Sequence, residues 1–219
     1  MTRRTHALSS GRPRIGMRPR KRRFLLVVGG EVTEPCYFKG LERELGDVVL
    51  DVRSFSEDPA KLAEHAKQLQ RTEKGSHSSR HELDFDTYEC VFVVTDVDQF
   101  TPTQLQTAST ICKEEKMELI ISNPCFEVWL IDHLQVCPTS CCDPLNSGRK
   151  ASELGIVYGS RSKYVEYDLI RGRSIIACDN AARHNCEENR RKRSKLDVTD
   201  FAPWTDMPVV VKRIQRKKK

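Results

Sequence analysis

The sequence predicts an α/β fold, in which a mostly parallel four-stranded sheet is flanked by helices and followed by a helical C-terminal extension. Four short apolar runs, each long enough for one buried strand, are separated by segments whose apolar residues have helical spacing. Residues that favour a helix start follow each run closely. This alternation of strand and helix is typical of parallel sheets with right-handed crossovers.

The first half of the sheet comes from two apolar runs. The run Phe24–Val28 predicts a buried strand, and Thr33 is expected to be the N-cap of the helix that follows. Gly46 is expected to end that helix. The alternating segment Val48–Phe55 predicts a second strand, and Asp58 with the proline after it opens the second helix.

The second half repeats the pattern. The run Val91–Thr95 predicts a third strand, and Thr101 with the following proline opens a third helix. A fourth strand is expected over Met117–Ser122. Asn123 is expected to cap a fourth helix over Cys125–Leu134, whose Phe126, Trp129 and Leu130 have the spacing of a buried helix face.

The chain divides into three parts by composition. Residues 1–22 are rich in Arg, Pro and Gly without periodicity, which predicts a basic disordered arm. Residues 23–135 contain the predicted α/β domain, and residues 136–219 form a mainly helical, basic extension. In this extension we expect, in order, a loop over 137–148, one long helix over 167–193 and a terminal helix over 208–216.

Basic residues are concentrated in three runs. The net charge is +6, yet residues 1–23, 190–195 and 212–219 hold 20 of the 37 Lys and Arg and no acid, so the rest of the chain is acidic. Such runs attract phosphate backbones without reading sequence. Arg161, Lys163 and residues 171–173 are further basic candidates whose location the sequence leaves open. The predicted nucleic-acid contacts are Arg20, Lys21, Arg22, Arg190, Arg191, Lys192 and Arg193.

Two aspartates follow the third strand. Asp96 and Asp98 are spaced i, i+2, so on an extended segment their side chains point to the same side. Two carboxylates placed there repel each other unless a cation lies between them, and Mg²⁺ is a suitable cation for oxygen ligands. An acidic turn with Asp98 as a local cap explains the same pattern, and both interpretations stay open.

Acids from two other segments are predicted at the same edge of the sheet. Glu31 and Glu34 follow the first strand, and Glu127 lies in the first turn of the fourth predicted helix. The carboxyl ends of parallel strands form the ligand-binding edge of such sheets. Clustered carboxylates together with basic arms are what a metal-dependent enzyme needs to cleave a phosphodiester bond.

Three strings of the sequence resemble one known family. FLLVVGGEVTEPCYFKGL, VFVVTDVDQF and LIISNPCFEVWLIDHL are similar to segments of the RloB/AbiL family of bacterial defence proteins, whose fold resembles the TOPRIM domain, a Rossmann-like fold. The resemblance implies a nuclease that depends on Mg²⁺ or Mn²⁺, acts on DNA or RNA (tRNA included) in antiphage defence, works beside an ABC/AAA-type ATPase and forms homo-oligomers. It also implies that Asp96 and Asp98 bind the metal with Glu34, the second acid of the first motif, and that Glu127 is a ligand or a support.

One position departs from the family pattern. Relatives usually carry an acid–glycine pair after the first strand, and TOPRIM catalysis uses that acid as a general acid or base, whereas here the pair is Gly29 and Gly30. Glu31 is a candidate substitute, because a flexible Gly–Gly turn could let it point inward. Without such a substitute, the chain is either a non-catalytic nucleic-acid-binding or sensor module, or it uses Glu34 alone.

The nine cysteines form no CxxC pair. A zinc site built from Cys137, Cys141, Cys142 and later Cys and His residues is the less favoured interpretation, because the spacing fits no common zinc pattern. Free thiols in a reducing, cytoplasmic environment are favoured. No stretch is apolar enough for a membrane span, so we expect no membrane partner.

Overall fold

The computed structural model describes residues 21–76, 87–97, 100–159, 163–185 and 201–216. Its strands and helices are numbered here in chain order. The strands are β1 (Arg22–Val28), β2 (Val48–Ser54), β3 (Cys90–Asp96), β4 (Glu118–Asn123), β5 (Val157–Tyr158), β6 (Tyr164–Val165) and β7 (Trp204–Thr205). The helices are α1 (Thr33–Leu45), α2 (Pro59–Ser76), α3 (Pro102–Glu114), α4 (Glu127–Asp132), α5 (Pro144–Glu153), α6 (Tyr167–Ile170), α7 (Ser174–His184) and α8 (Met207–Gln215).

The main sheet has five strands in the order β2-β1-β3-β4-β7. β1 pairs in parallel with both β2 and β3, and β3 pairs in parallel with β4. The four predicted parallel strands are therefore confirmed. β7 adds an antiparallel edge strand beside β4, which sequence reasoning missed because two residues are too short to show a period.

The sheet is buried on both faces. Along β1, Phe24 and Leu26 point into one apolar cluster with α1 and α4, while Leu25 and Val27 point into another with α2 and α3. This alternation is the two-residue period of a strand, and it explains why β1 is apolar at every position from Phe24 onward. Helices on both faces confirm the predicted mostly parallel α/β fold.

The C-terminal third packs into the first of these clusters. Ala151 of α5, Ala177 of α7 and Val210 of α8 are buried together with residues of β1, α1 and α4. The segment expected to be an extension therefore shares the core of the α/β fold. The strand β1 also begins at Arg22, the last residue of the arm predicted to be disordered.

Several predicted helix boundaries are confirmed. Asp58 accepts hydrogen bonds from the backbone N–H groups of Ala60 and Lys61 at 3.0 and 3.2 Å, which caps α2. Thr101 forms a capping box with Gln104 at the start of α3. Gly46 ends α1 in the left-handed region at φ 68°, and its N–H donates to a carbonyl of the last turn.

Two predicted N-caps are wrong. Thr33 is the first residue of α1 instead of its cap, and its hydroxyl donates to the carbonyl of Lys163 at 3.1 Å. Asn123 is the buried last residue of β4. The regular helix begins only at Glu127, because the three residues between form a tight turn in which the N–H of Val128 donates to the Cys125 carbonyl. α4 is therefore shorter than predicted.

The last third contains two further corrections. α5 begins inside the segment predicted to be a loop, where Asp143 accepts a hydrogen bond from the Asn146 N–H at 2.8 Å. The long helix expected over 167–193 is divided into α6 and α7, because Gly172 between them has a φ of 73° that no helix allows. Residues 186–193 of that prediction lie outside the described residues.

In the described segments, every helix is too short or too polar to cross a lipid bilayer.

Candidate active site

Three acidic side chains from separate segments meet at the carboxyl edge of the sheet. Glu34 comes from the first turn of α1, Asp96 from the end of β3 and Glu127 from the first residue of α4. All three line one cavity of about 710 Å³. Two neighbouring cavities of about 540 and 610 Å³ also contain Asp96 and Lys163. These three cavities together are called the cleft below.

The sheet topology explains this convergence. β1 and β3 are parallel neighbours, so the segments that follow them leave the sheet side by side, and the N–H of Gly29 donates to the Val94 carbonyl at 3.1 Å. Asp96 pairs with Ser122 of β4, whose chain continues into the turn before Glu127. The predicted meeting of three acidic segments at one edge therefore follows from strand order.

Glu34 is the most buried acid of the cleft. Its side chain lies in a residue only 4% exposed, and its Oε1 accepts a hydrogen bond from the Gly30 N–H at 2.9 Å. Burial, together with the negative charge of Glu127, raises the pKa of Glu34 to about 7, although the backbone N–H groups of Glu34 and Gly30 and the charge of Lys163 oppose the rise. Glu34 thus exchanges its proton near neutral pH, as a general acid or base must.

The backbone of Gly30 passes directly over the Glu34 carboxylate. A Cβ atom at position 30 would overlap this carboxylate, so a side chain there would have to displace it. The sequence predicts that the Gly–Gly turn gives Glu31 the flexibility to point inward. In the structure, Gly30 instead packs against the carboxylate of Glu34.

A family model described as RloB-like protein matches residues 24–214. The chain belongs to the RloB-like protein family. The match runs from β1 into α8 and includes all three carboxylates of the cleft. No curated protein and no solved structure is significantly similar to the chain.

In this RloB-like protein, Glu31 and Gly29, the other two positions of the first motif, have surroundings different from those of Glu34. Glu31 is exposed at the rim of the cleft, where its Oε1 accepts a hydrogen bond from the Ser56 hydroxyl at 2.7 Å. Gly29 has room for a Cβ atom, which would meet Leu62 at 3.5 Å, an ordinary contact.

The described acids do not complete a metal cage by themselves. Within the described ranges, no group of three or more His, Cys, Asp or Glu is arranged to hold a metal ion. Asp98, predicted as a metal ligand, lies outside the described residues. Cys137 and Cys141 of the alternative zinc site are buried free thiols whose pKa is raised by that burial, and Cys186 lies outside the described residues.

Cys125 lies beside the carboxylates at the wall of the cleft. Burial raises the pKa of its thiol, and the negative charges of Glu127 and Asp96 raise it further. A thiol in this setting stays protonated, which is typical of a structural cysteine and not of a nucleophile.

Of the predicted nucleic-acid contacts, only Lys21 and Arg22 lie among the described residues, and neither lines the cleft. Arg22 forms a two-pronged salt bridge with Glu89 and donates to carbonyls at the end of α8, all at the opposite edge of the sheet. In this chain Arg22 therefore connects the start of β1 to Glu89 and to the end of α8. Lys21 is exposed next to it, and Arg20 and residues 190–193 lie outside the described residues.

Among the described residues, three basic side chains line the cleft: Lys61, Arg149 and Lys163. Lys163 borders all three cavities, and its backbone is tied to Thr33 at the start of α1. The sequence marked Lys163 only as a basic candidate without a location. Arg149 belongs to α5, which the Asp143-Pro144 start signal could have revealed, since the same pair of residue types at Asp58-Pro59 was used correctly for α2.

Proposed function

We propose that this protein is a metal-dependent nuclease that hydrolyses phosphodiester bonds of DNA or RNA, with tRNA as one candidate substrate, in antiphage defence. The observation that carries the proposal is the convergence of Glu34, Asp96 and Glu127 in one cleft, where Glu34 is buried beside a like charge. Folding has brought together carboxylates that repel each other, and a bound cation relieves that repulsion.

The donor set fits Mg²⁺ or Mn²⁺. Every candidate ligand is a carboxylate oxygen, and Mg²⁺ needs only one or two carboxylates because water and substrate phosphate complete its shell. Glu34 and Asp96 would hold the ion, together with Asp98. When bound, the ion supplies an activated water and neutralises charge on the scissile phosphate.

The remaining cleft residues have roles that follow from their charge and position. Lys163, at the junction of the three cavities, neutralises a substrate phosphate. Glu34 holds or releases a proton at neutral pH when no cation competes for its carboxylate. Glu127 supports Glu34, and Glu31 at the rim is the candidate substitute for the acid absent at Gly29.

The wider setting rests on the family resemblance. We expect a cytoplasmic protein that forms homo-oligomers and works beside an ABC/AAA-type ATPase. The predicted basic runs would then add contacts to the nucleic-acid backbone. Their described residues do not line the cleft, so these contacts would lie outside it.

A cleavage assay tests the proposal. Purified protein is incubated with Mg²⁺ or Mn²⁺ and a panel of plasmid, single-stranded DNA, total RNA and tRNA. We expect cleavage by the wild type, a loss of at least about 100-fold in Asp96→Asn and Glu34→Gln, and an unchanged rate in Asp168→Asn. Asp168 is a matched control because it is an exposed acid paired with Arg171 on α6. Equal rates in all variants would reject the assignment of the cleft.

A second candidate function is a non-catalytic nucleic-acid-binding or sensor module that works with the partner ATPase. It is favoured by Gly29, which leaves the cleft without a carboxylate at the position where relatives carry one. Gly29→Glu distinguishes the two functions, since a Cβ atom at position 29 makes only ordinary contacts. Metal-dependent cleavage that appears only in Gly29→Glu would establish the non-catalytic function for the natural sequence.

A further inference from the structure

Two of the five tyrosines differ from the rest. The hydroxyls of Tyr88 and Tyr167 donate to Asp51 and Glu44 at 2.5 and 2.8 Å, and Tyr37 is fully buried. Tyr158 and Tyr164 are instead 53% and 47% exposed. They lie opposite each other on the antiparallel pair β5–β6, with ring centroids 6.0 Å apart and planes tilted by 33°. Together they form an aromatic surface open to solvent, called the tyrosine pair below.

The tyrosine pair borders the cleft. Tyr164 lines the same cavity as Glu34 and Asp96, and its chain neighbour Lys163 lines all three cavities. The hydroxyl of Thr33 donates to the Lys163 carbonyl at 3.1 Å. Since Thr33 immediately precedes Glu34, this bond fixes the tyrosine pair relative to the buried acid.

The ring of Tyr164 also packs against the backbone at Gly159. Gly159 has a φ of 78°, and a Cβ atom there would lie 2.7 Å from Cδ2 of Tyr164. The glycine thus lets the Tyr164 ring rest on the backbone, which restrains the ring although half of it is exposed. A restrained, exposed aromatic ring loses little conformational entropy when a flat ligand packs on it.

We propose that the tyrosine pair stacks on an unpaired nucleobase while Lys163 binds an adjoining phosphate, so that the cleft takes single-stranded nucleic acid. Stacking on aromatic side chains requires a free base face, which unpaired nucleotides offer and paired bases within a duplex do not. An aromatic surface, a cation and clustered carboxylates around one cleft match a base, a phosphate and the bond to be cut. The inference rests on the proposed nuclease function for the nature of the ligand.

Binding measurements test this inference in the Asp96→Asn background, so that no substrate is consumed. Fluorescence anisotropy gives dissociation constants for a single-stranded DNA, a single-stranded RNA and the matching duplexes. We expect the single strands to bind more tightly than the duplexes. Tyr164→Ala is expected to weaken single-strand binding about 5- to 150-fold, and Tyr158→Ala to weaken it in the same direction.

Two variants separate stacking from general damage. Tyr164→Phe keeps the ring and is expected to retain single-strand affinity. Ile175→Ala removes another exposed apolar side chain, on α7 away from the residues that line the cleft, and is expected to change nothing. Equal affinity of Tyr164→Ala and the parent, a Phe variant as weak as the Ala variant, or equal binding of duplex and single strand would each overturn the inference.

The salt dependence separates Lys163 from the tyrosine pair. Lys163→Gln is expected to reduce the slope of log affinity against log salt by about 0.7, the value for one phosphate contact on a single strand, whereas Tyr164→Ala leaves the slope unchanged. Wild-type cleavage assayed in parallel keeps the two proposals distinct. Tyrosine-dependent binding without cleavage rejects the nuclease but supports the stacking surface, and cleavage without any effect of Tyr164→Ala does the reverse.

Discussion

The two ends of helix α4 carry acids in opposite circumstances. Asp132, its last residue, is 0% exposed, and its carboxylate bonds to His184 at 2.8 Å and to the Cys137 N–H at 3.0 Å. Glu127, its first residue, is 8% exposed and faces the cleft beside Glu34. In the described ranges, no basic side chain lies within salt-bridge distance of Glu34 or of Glu127.

The comparison distinguishes a carboxylate that is buried as part of the structural core from one that is buried at a functional site. A buried carboxylate is tolerated when hydrogen bonds compensate much of its lost hydration. At Asp132 burial raises the pKa, but the bonds from His184 and the Cys137 N–H oppose the rise. At Glu34 the compensation comes from two backbone N–H groups, its own and that of Gly30, and from the charge of Lys163, against burial and a like charge. Such incompletely compensated charge costs stability, and sites of this kind are typical of functional clefts. The contrast between the ends of α4 can be tested by changing each acid in turn.

The largest effect is expected at the compensated end. Asp132→Ala leaves His184 and the Cys137 N–H without their acceptor, and it should lower the free energy of unfolding by about 3 to 5 kcal/mol. Glu127→Gln is the matched change at the other end, and it should alter stability by no more than about 1 kcal/mol. Urea denaturation measures both. If the two variants were equally destabilised, the contrast between the ends of α4 would be lost.

The next effect is a pH dependence that belongs to Glu34. Its pKa is about 7 in the folded protein against an ordinary 4.5, so the folded state binds the proton more tightly than the unfolded chain. The stability from this proton is fully present below pH 4.5 and is lost as the pH rises to about 7. The wild type should therefore lose about 3 kcal/mol more than Glu34→Gln between pH 4.5 and 8.

Urea denaturation of both proteins across this pH range gives the difference directly. Glu127→Gln adds a second comparison. Without the negative charge of Glu127 the pKa of Glu34 should be lower, so this variant should lose stability at a lower pH than the wild type. Parallel pH profiles for the wild type and Glu34→Gln would show that Glu34 is compensated after all.

A smaller effect tests how closely the cleft acid is enclosed. Gly30→Ala places a methyl group on the Glu34 carboxylate and should destabilise the fold by about 1 to 3 kcal/mol. Gly29→Ala is the matched control, because its methyl group would meet only ordinary contacts, and it should cost about 0.5 kcal/mol or less. In a Glu34→Ala background the cost of Gly30→Ala should fall by at least about 1 kcal/mol. A cost that is independent of residue 34 would contradict the assignment of this space to the carboxylate.

The sequence was sufficient to predict the parts of the fold that depend on local patterns. The four apolar runs predicted β1 to β4, and Asp58 and Thr101 predicted two helix starts. The strand β7 and the pair β5–β6 have two residues per strand, which is too few for a pattern, so their positions depend on packing against the rest of the chain.

The candidate site shows the same limit. The rule for sheet edges brought Glu34, Asp96 and Glu127 together in the prediction. It did not distinguish Glu34 from Glu31, because their burial depends on how α1 starts and on the space above Gly30. Lys163 reaches the cleft through a hydrogen bond to Thr33, 130 residues away in sequence, and no local signal encodes such a contact.

Calorimetric titration of Mn²⁺ at pH 6.5 tests most directly whether the acids of the cleft serve to hold a cation. We predict one site in the wild type, with protons released on binding because the metal displaces the proton of Glu34. Asp96→Asn should abolish binding, Glu34→Gln should weaken it and remove the proton release, and Asp132→Asn at the other end of α4 should leave it unchanged. Binding that persists unaltered in Asp96→Asn and Glu34→Gln would contradict a metal site in the cleft.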